Sequence, residues 1–208
     1  PKGRLILPQQ QTIRGVLEAG ATAVVVRDDE LWDTLQNLGK KPKLVITDSQ
    51  VFGKVAKEIP SDVMLTSFSI LFARYKGELE VQVRGAKALD HLKNGDKVLI
   101  CEGCTHHRQC GDIGTEKLPN WIRKHTGQEI EFHFTSGTEF PMDLSEYRMI
   151  IHCGGCMLSA REMRYRMKCA LDQNIPFTNY GVAIACMNGI LPRSLAPFPA
   201  LLRLLDET

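Results

Sequence analysis

Short runs of apolar residues, separated by amphipathic stretches, recur along the whole chain. Leu5-Ile6-Leu7, Ala23-Val24-Val25-Val26, Leu44-Val45-Ile46 and Val63-Met64-Leu65 are continuous rather than alternating. That is the pattern of strands buried on both faces of a parallel sheet. Between them Ile13, Val16 and Leu17, then Leu31, Leu35 and Leu38, then Val51, Phe52, Val55 and Ala56 fall at helical spacing. Gly20 and Gly39 suit helix C-termini, and Asp48-Ser49 and Thr66-Ser67 suit helix N-caps. The stretch Ser67 to Gly77 predicts a helix apolar around much of its circumference. Such a helix can be buried within its own domain, laid against another subunit, or both.

Glu78 to Gly95 is weakly patterned, with a helix predicted over Ala86 to Leu92 before the turn Asn94-Gly95-Asp96. The α/β alternation then resumes, with predicted strands at Val98 to Cys101, Ile130 to Phe134, Met149 to His152 and Pro176 to Tyr180. Helices are predicted over Pro119 to His125, Leu158 to Gln173, Gly181 to Asn188 and Ala200 to Asp206. Pro192, Pro197 and Pro199 keep the approach to the last of these irregular. The chain therefore reads as two small α/β domains, residues 1–77 and 78–208, each a mainly parallel sheet flanked by helices.

Two of the predicted strands run straight into clusters of metal-ligating residues: Cys104-Thr105-His106-His107 follows the first, and His152-Cys153-Gly154-Gly155-Cys156 ends the third. Parallel neighbouring strands would bring both clusters to one sheet edge, where open α/β sheets place ligands. Cys104, Cys153 and Cys156 can supply thiolates to an iron-sulfur cube, with His106, His152, His107, Cys110, Asp112 or solvent at the fourth iron. Gly154 and Gly155 free the loop to turn N–H groups toward sulfur, and the helix after Leu158 offers its positive end to an anionic cluster. Cys101-Glu102-Gly103-Cys104 is itself a C-x-x-C, so Cys101, Cys104, Cys153 and Cys156 also match a structural zinc site. On spacing alone both readings stand.

Other residues carry less. His91, His125 and His133 neighbour no cysteine and read as surface or packing residues, and Cys169 and Cys186 fall inside helical patterns as small core residues. Arg161, Arg164, Arg166 and Lys168 read as a solvated basic face, or one that attracts an anionic partner. Asn179, Tyr180 and Gly181 follow a strand and either turn the chain or line the site.

With 26 basic against 24 acidic residues, the balance implies no nucleic-acid partner. No apolar run approaches the length of a membrane span and no secretion signal opens the chain, so a cytoplasmic location is expected. Seven cysteines, an odd number, then read as reduced thiols rather than a disulfide framework. The start at Pro1 suggests a piece of a longer protein. Neither G-x-x-x-x-G-K-[ST] nor G-x-G-x-x-G occurs, and no Ser-His-Asp or paired-carboxylate set stands out, so no enzymatic activity is expected of this chain.

The pattern C-x-H at Cys104 to His106, then H-C-x-x-C at His152 to Cys156, resembles the cluster signature of the HydF family, the scaffold GTPases of [FeFe]-hydrogenase maturation. Leu44 to Phe52, Leu65 to Gly77 and Thr178 to Ala185 also resemble it, so the similarity spans nearly the whole chain. The resemblance implies a dimerisation domain over 1–77 and a Rossmann-like cluster-binding domain over 78–208, without the family's GTPase domain. It implies a [4Fe-4S] cluster held by Cys104, Cys153 and Cys156, with His106 and His152 in or beside its coordination sphere. It also implies a homodimer that holds the diiron H-cluster precursor and delivers it to apo-[FeFe]-hydrogenase, in company with the radical-SAM maturases. Cys101, where the family pattern leads one to expect a small apolar residue, and Cys110 depart from it.

Overall fold

The computed structural model describes residues 5–103 and 112–206. Its first part contains α1 (Leu7–Glu18), α2 (Leu31–Asn37), β1 (Leu44–Thr47), α3 (Phe52–Glu58), β2 (Met64–Ser67) and α4 (Phe68–Lys76). β1 and β2 pair in parallel, with Leu44 opposite Met64 and Thr47 opposite Ser67. Ser67 caps α4 as its sequence position predicts, its hydroxyl accepting the Ile70 N–H.

Two of the four strands expected here do not form. Leu7 and Pro8 open α1 instead, with Pro8 in the first turn and the Gln9 side chain accepting the Ile6 N–H at 3.0 Å. A proline ring is pre-organised for that position, and the glutamine completes the cap, so together they outweigh the apolar tripeptide. Ala23 to Val26 is also not a strand, and Val24 and Val25 are each 56% exposed. Strand propensity is largely a fit to a half-buried pleated surface, and no described strand offers these residues a ladder.

The second part runs α5 (Leu79–Ala86), a 3-10 segment (Lys87–His91), β3 (Lys97–Glu102), a π-helical turn (Ile113–Lys117) and α6 (Leu118–Thr126). It continues through β4 (Glu131–Ser136), β5 (Met149–His152), α7 (Ala160–Asp172), β6 (Phe177–Asn179), α8 (Tyr180–Met187), α9 (Leu191–Ser194) and α10 (Pro199–Asp206). The helix expected over Ala86 to Leu92 thus begins earlier, and only its continuation is the 3-10 segment. All four expected strands form one parallel sheet in the order β4-β3-β5-β6. Strand order reverses between β3 and β5, the switch point at which doubly wound sheets open a ligand crevice.

The continuous apolar runs are divided by the pleat. Val98, Ile100, Met149 and Ile151 pack with Leu118, Ile122 and Ile184 on one side of the sheet. Leu99, Cys101 and Ile150 pack with Met167, Ala170 and Phe177 on the other. The core under β1 and β2 draws on both ends of the chain: Phe52, Val55, Leu65 and Ile70 meet Leu79, Val83, Val182, Leu191, Leu195 and Leu204. Arg193 fastens this closure by donating to the carbonyl oxygens of Ala56, Ile59 and Pro60. The apolar α4 is buried within the chain, packing against α1, α7 and α8, although Tyr75 is 77% exposed.

Gly85 shows how closely the layers approach. A Cβ there would lie 2.1 Å from the carbonyl oxygen of Phe177, a backbone atom that cannot yield without moving β6. Gly85→Ala should therefore destabilise by about 3 kcal/mol in urea unfolding, despite a helix-propensity gain of about 1 kcal/mol. A variant as stable as the parent would contradict this packing.

Candidate metal centre at the sheet switch point

β3 and β5 pair in parallel with Cys101 opposite His152, and the bond from Cys153 N to Cys101 O at 2.8 Å carries the ladder one residue further. The segments leaving both strands are thereby forced to the same end of the sheet. Gly103 donates its N–H to Cys153 Sγ at 3.0 Å, so the first segment rests directly against the second. A side chain at Gly103 would be obstructed, since its Cβ would come within 2.8 Å of Leu158 Cγ.

The loop from Cys153 to Leu158 is held almost entirely by its carbonyls. His152 Nδ1 lies 2.8 Å from the Cys153 oxygen. Lys76 Nζ donates to the oxygens of Gly155 at 2.9 Å, Cys156 at 2.8 Å and Leu158 at 2.8 Å. With these oxygens turned back, Gly155 N–H approaches Cys153 Sγ at 3.4 Å. Gly155 sits at φ +61°, and any Cβ there would strike Met163 at 2.4 Å, so glycine is required on both conformational and steric grounds. Ser159 then caps α7, accepting the Glu162 N–H.

His152 is wholly buried, with Nδ1 on the Cys153 carbonyl and Nε2 3.2 Å from Arg166 Nη1. A carbonyl accepts only, so Nδ1 carries the proton and Nε2 accepts from the guanidinium. Burial holds the ring's pKa down at about 4, and it is neutral at neutral pH. Both ring nitrogens are thus engaged, behind the loop. Arg166 is fully buried rather than part of a solvated face, because the inward stripe of α7 runs through Met163, Arg166, Met167 and Ala170. Its other nitrogens donate to Glu162 Oε1 and the Gly137 carbonyl, and its guanidinium lies over Phe140. The remaining basic residues of the run, Arg161, Arg164 and Lys168, are exposed.

Cys101 does not join this site. It belongs to the cluster with Leu99, Tyr147 and Met167, whereas Cys153 packs on the opposite side of the sheet beside Ile151 and Tyr180. The strand pleat separates them, and burial pushes the Cys101 thiol up to about 11. Of the cysteines in the four-cysteine zinc arrangement, Cys101 and Cys153 are thus held on opposite faces of the sheet. Asp112 caps the π-helical turn, its Oδ2 accepting the N–H groups of Gly114 and Thr115. Tyr180 donates its hydroxyl to Glu102 Oε1 at 3.3 Å, and Gly114 fits against both groups. Asn179 caps α8 and donates to the Ser69 carbonyl, a turn role that also ties α8 to α4.

Cys104, His106, His107 and Cys110 lie outside the described residues. Among the described residues no three His, Cys, Asp or Glu side chains converge on one metal position. The two described sulfurs suit a soft metal nonetheless: Cys153 Sγ receives two backbone N–H groups, as a thiolate ligand does, and Cys156 is half-buried on the same loop.

A family model described as the hydrogen maturase F tetramerization domain matches residues 80–197, and one described as the hydrogen maturase F dimerization domain matches residues 1–77. The chain belongs to the hydrogen maturase F family. No curated protein matches it. Hydrogen maturase F membership makes this a self-associating protein of hydrogenase maturation, and neither matched segment is a GTPase domain. No described helix is long and apolar enough to cross a membrane.

Sequence reasoning missed Lys76 and Arg166 as parts of this hydrogen maturase F site. Arg166 carried a legible signal, since it falls three residues after Met163 on the inward stripe. Arg166→Met should strand the His152 ring and the Gly137 carbonyl in the interior, at a cost of about 3 kcal/mol in chemical unfolding. A change near zero would show that the guanidinium is not integral to the loop's support.

Proposed function

We propose that this chain is an iron-sulfur scaffold of [FeFe]-hydrogenase maturation. Cys104, Cys153 and Cys156 hold a [4Fe-4S] cluster whose fourth iron keeps an exchangeable ligand, drawn from His106, His107, Cys110, Asp112 or solvent. His152 serves from behind, fixing the Cys153 carbonyl, with both its nitrogens already committed. The homodimer carries the diiron precursor of the hydrogenase active site as cargo and passes it to the apo-hydrogenase in the cytoplasm, together with the radical-SAM maturases. No catalytic turnover is assigned to these residues.

One observation supports this reading above the rest. The Gly103 N–H rests on Cys153 Sγ, and the residue covalently following Gly103 is Cys104. A bound cluster supplies iron corners that accept soft donors and sulfides that accept N–H groups. The protein's part is to hold two sulfurs on a rigid glycine loop, direct N–H groups at sulfur, and keep Cys101 out of reach on the far side of the sheet.

Anaerobic reconstitution tests it. The wild type should take up about four iron and four sulfide per chain and give the paramagnetic resonance of a reduced [4Fe-4S] cluster. Cys153→Ala should lose that signal, and Cys101→Ala should keep it. Zinc in aerobically purified protein that disappears on replacing Cys101 would overturn the scaffold assignment in favour of a zinc-stapled module.

A further inference from the structure

Lys76 is the last residue of α4, a position from which a lysine ordinarily reaches into water beyond its helix. Here it is 9% exposed. Its ammonium has three hydrogens, and all three are spent on carbonyls of one short loop, those of Gly155, Cys156 and Leu158. The ammonium also lies 5.3 Å from the centre of the Phe72 ring, one turn back on the same helix. Among the described residues no carboxylate pairs with it. A buried cation satisfied by neutral dipoles alone is costly, and the sulfurs of Cys156 and Cys153 lie within its electrostatic reach, where they would favour its charge once they ionise.

We propose that Lys76 is a positioning residue for the sulfur-bearing loop. It draws the three carbonyls of Gly155, Cys156 and Leu158 to itself, and with them turned back the Gly155 N–H is directed at Cys153 Sγ. It also supplies a fixed positive charge beneath ligands that become anionic when they bind metal. The lysine comes from the segment matching the dimerization domain, and the loop from the segment matching the tetramerization domain. Metal retention is thereby tied to the docking of α4. The metal-retention arm of this inference rests on the scaffold reading, and the loop-geometry arm does not.

The test uses the full chain, as apo protein and after anaerobic reconstitution, with Lys76→Met, Lys76→Gln and Lys76→Arg. Amide exchange by mass spectrometry reads the peptide spanning residues 153–160, and transfer of iron to a chelator reads retention. Lys76→Met should speed both by about tenfold, leave exchange in β1 and β2 unchanged, and shift the cluster's reduction potential downward. Lys76→Arg, which keeps charge and donors, should recover much of the loop protection and retention. If Lys76→Met fails to fold, Lys76→Gln carries the same readouts: its neutral amide keeps two donors and should fall between wild type and the methionine value.

Loop exchange and iron retention indistinguishable from wild type in whichever variant folds would overturn the proposal. So would exchange that quickens equally throughout β1, β2 and the loop, since that marks a general structural prop. A wild type that takes up no cluster removes the scaffold reading, while exchange in the loop still decides what Lys76 does.

Discussion

The parallel pairing of β3 with β5 is the constraint on which the rest of this molecule hangs. Parallel strands send their exits to the same end of a sheet, and the register that sets Cys101 opposite His152 leaves the two exits level. A slip of one residue would exchange the faces of an entire strand, exposing Ile150 or Ile151 to the wrong core and turning the loop after His152 away from Gly103. Apolar layers on both sides resist that slip, because Leu99, Ile100, Ile150 and Ile151 are all fully buried. Precision at the sulfur loop is therefore inherited from the hydrophobic packing beneath it.

Above the sheet, the organising interaction changes from apolar burial to the control of backbone carbonyls. The loop from Cys153 to Leu158 has no strand or helix partners for most of its oxygens, and two buried basic side chains deal with them from opposite directions. Arg166 acts through the neutral His152 ring on the Cys153 oxygen, and Lys76 acts directly on three oxygens further on. Buried carbonyls left without donors would each cost on the order of 1–3 kcal/mol, so both cations belong to the fold as much as to the site. The same arrangement sets the N–H groups of Gly103 and Gly155 on Cys153 Sγ, which favours an anionic ligand set.

The two matched segments are also mechanically interlocked. Residues from α8, α9 and α10, late in the chain, complete the core under β1 and β2, while α4, early in the chain, reaches the sulfur loop through Lys76. Arg193 and Asn179 add hydrogen bonds across the same junction. The two matched segments thus form one packed body, and a change in the packing of α4 has a physical path to the sulfur loop.

How much of this was legible in advance follows from which interactions are local. The four strands of the second sheet could be read because each is a continuous apolar run flanked by turn residues, and the C-x-x-C loop because its spacing and glycines are local properties of the chain. The α/β class followed from the same periodicity. Leu5 to Leu7 and Ala23 to Val26 looked equally strand-like, but a strand exists only where a neighbour completes its ladder, and that is a fact about folding partners. Cys101 and Cys153 belonged to one plausible metal set on paper, and the pleat assigned Cys101 to the side of the sheet away from Cys153. Sequence alone determined which residue types carry the chemistry and how far apart they lie along the chain. Tertiary structure decided which of them face one another, and that a lysine 79 residues before Gly155 in sequence should end beneath its carbonyl, because burial and long-range pairing have no signature in local composition.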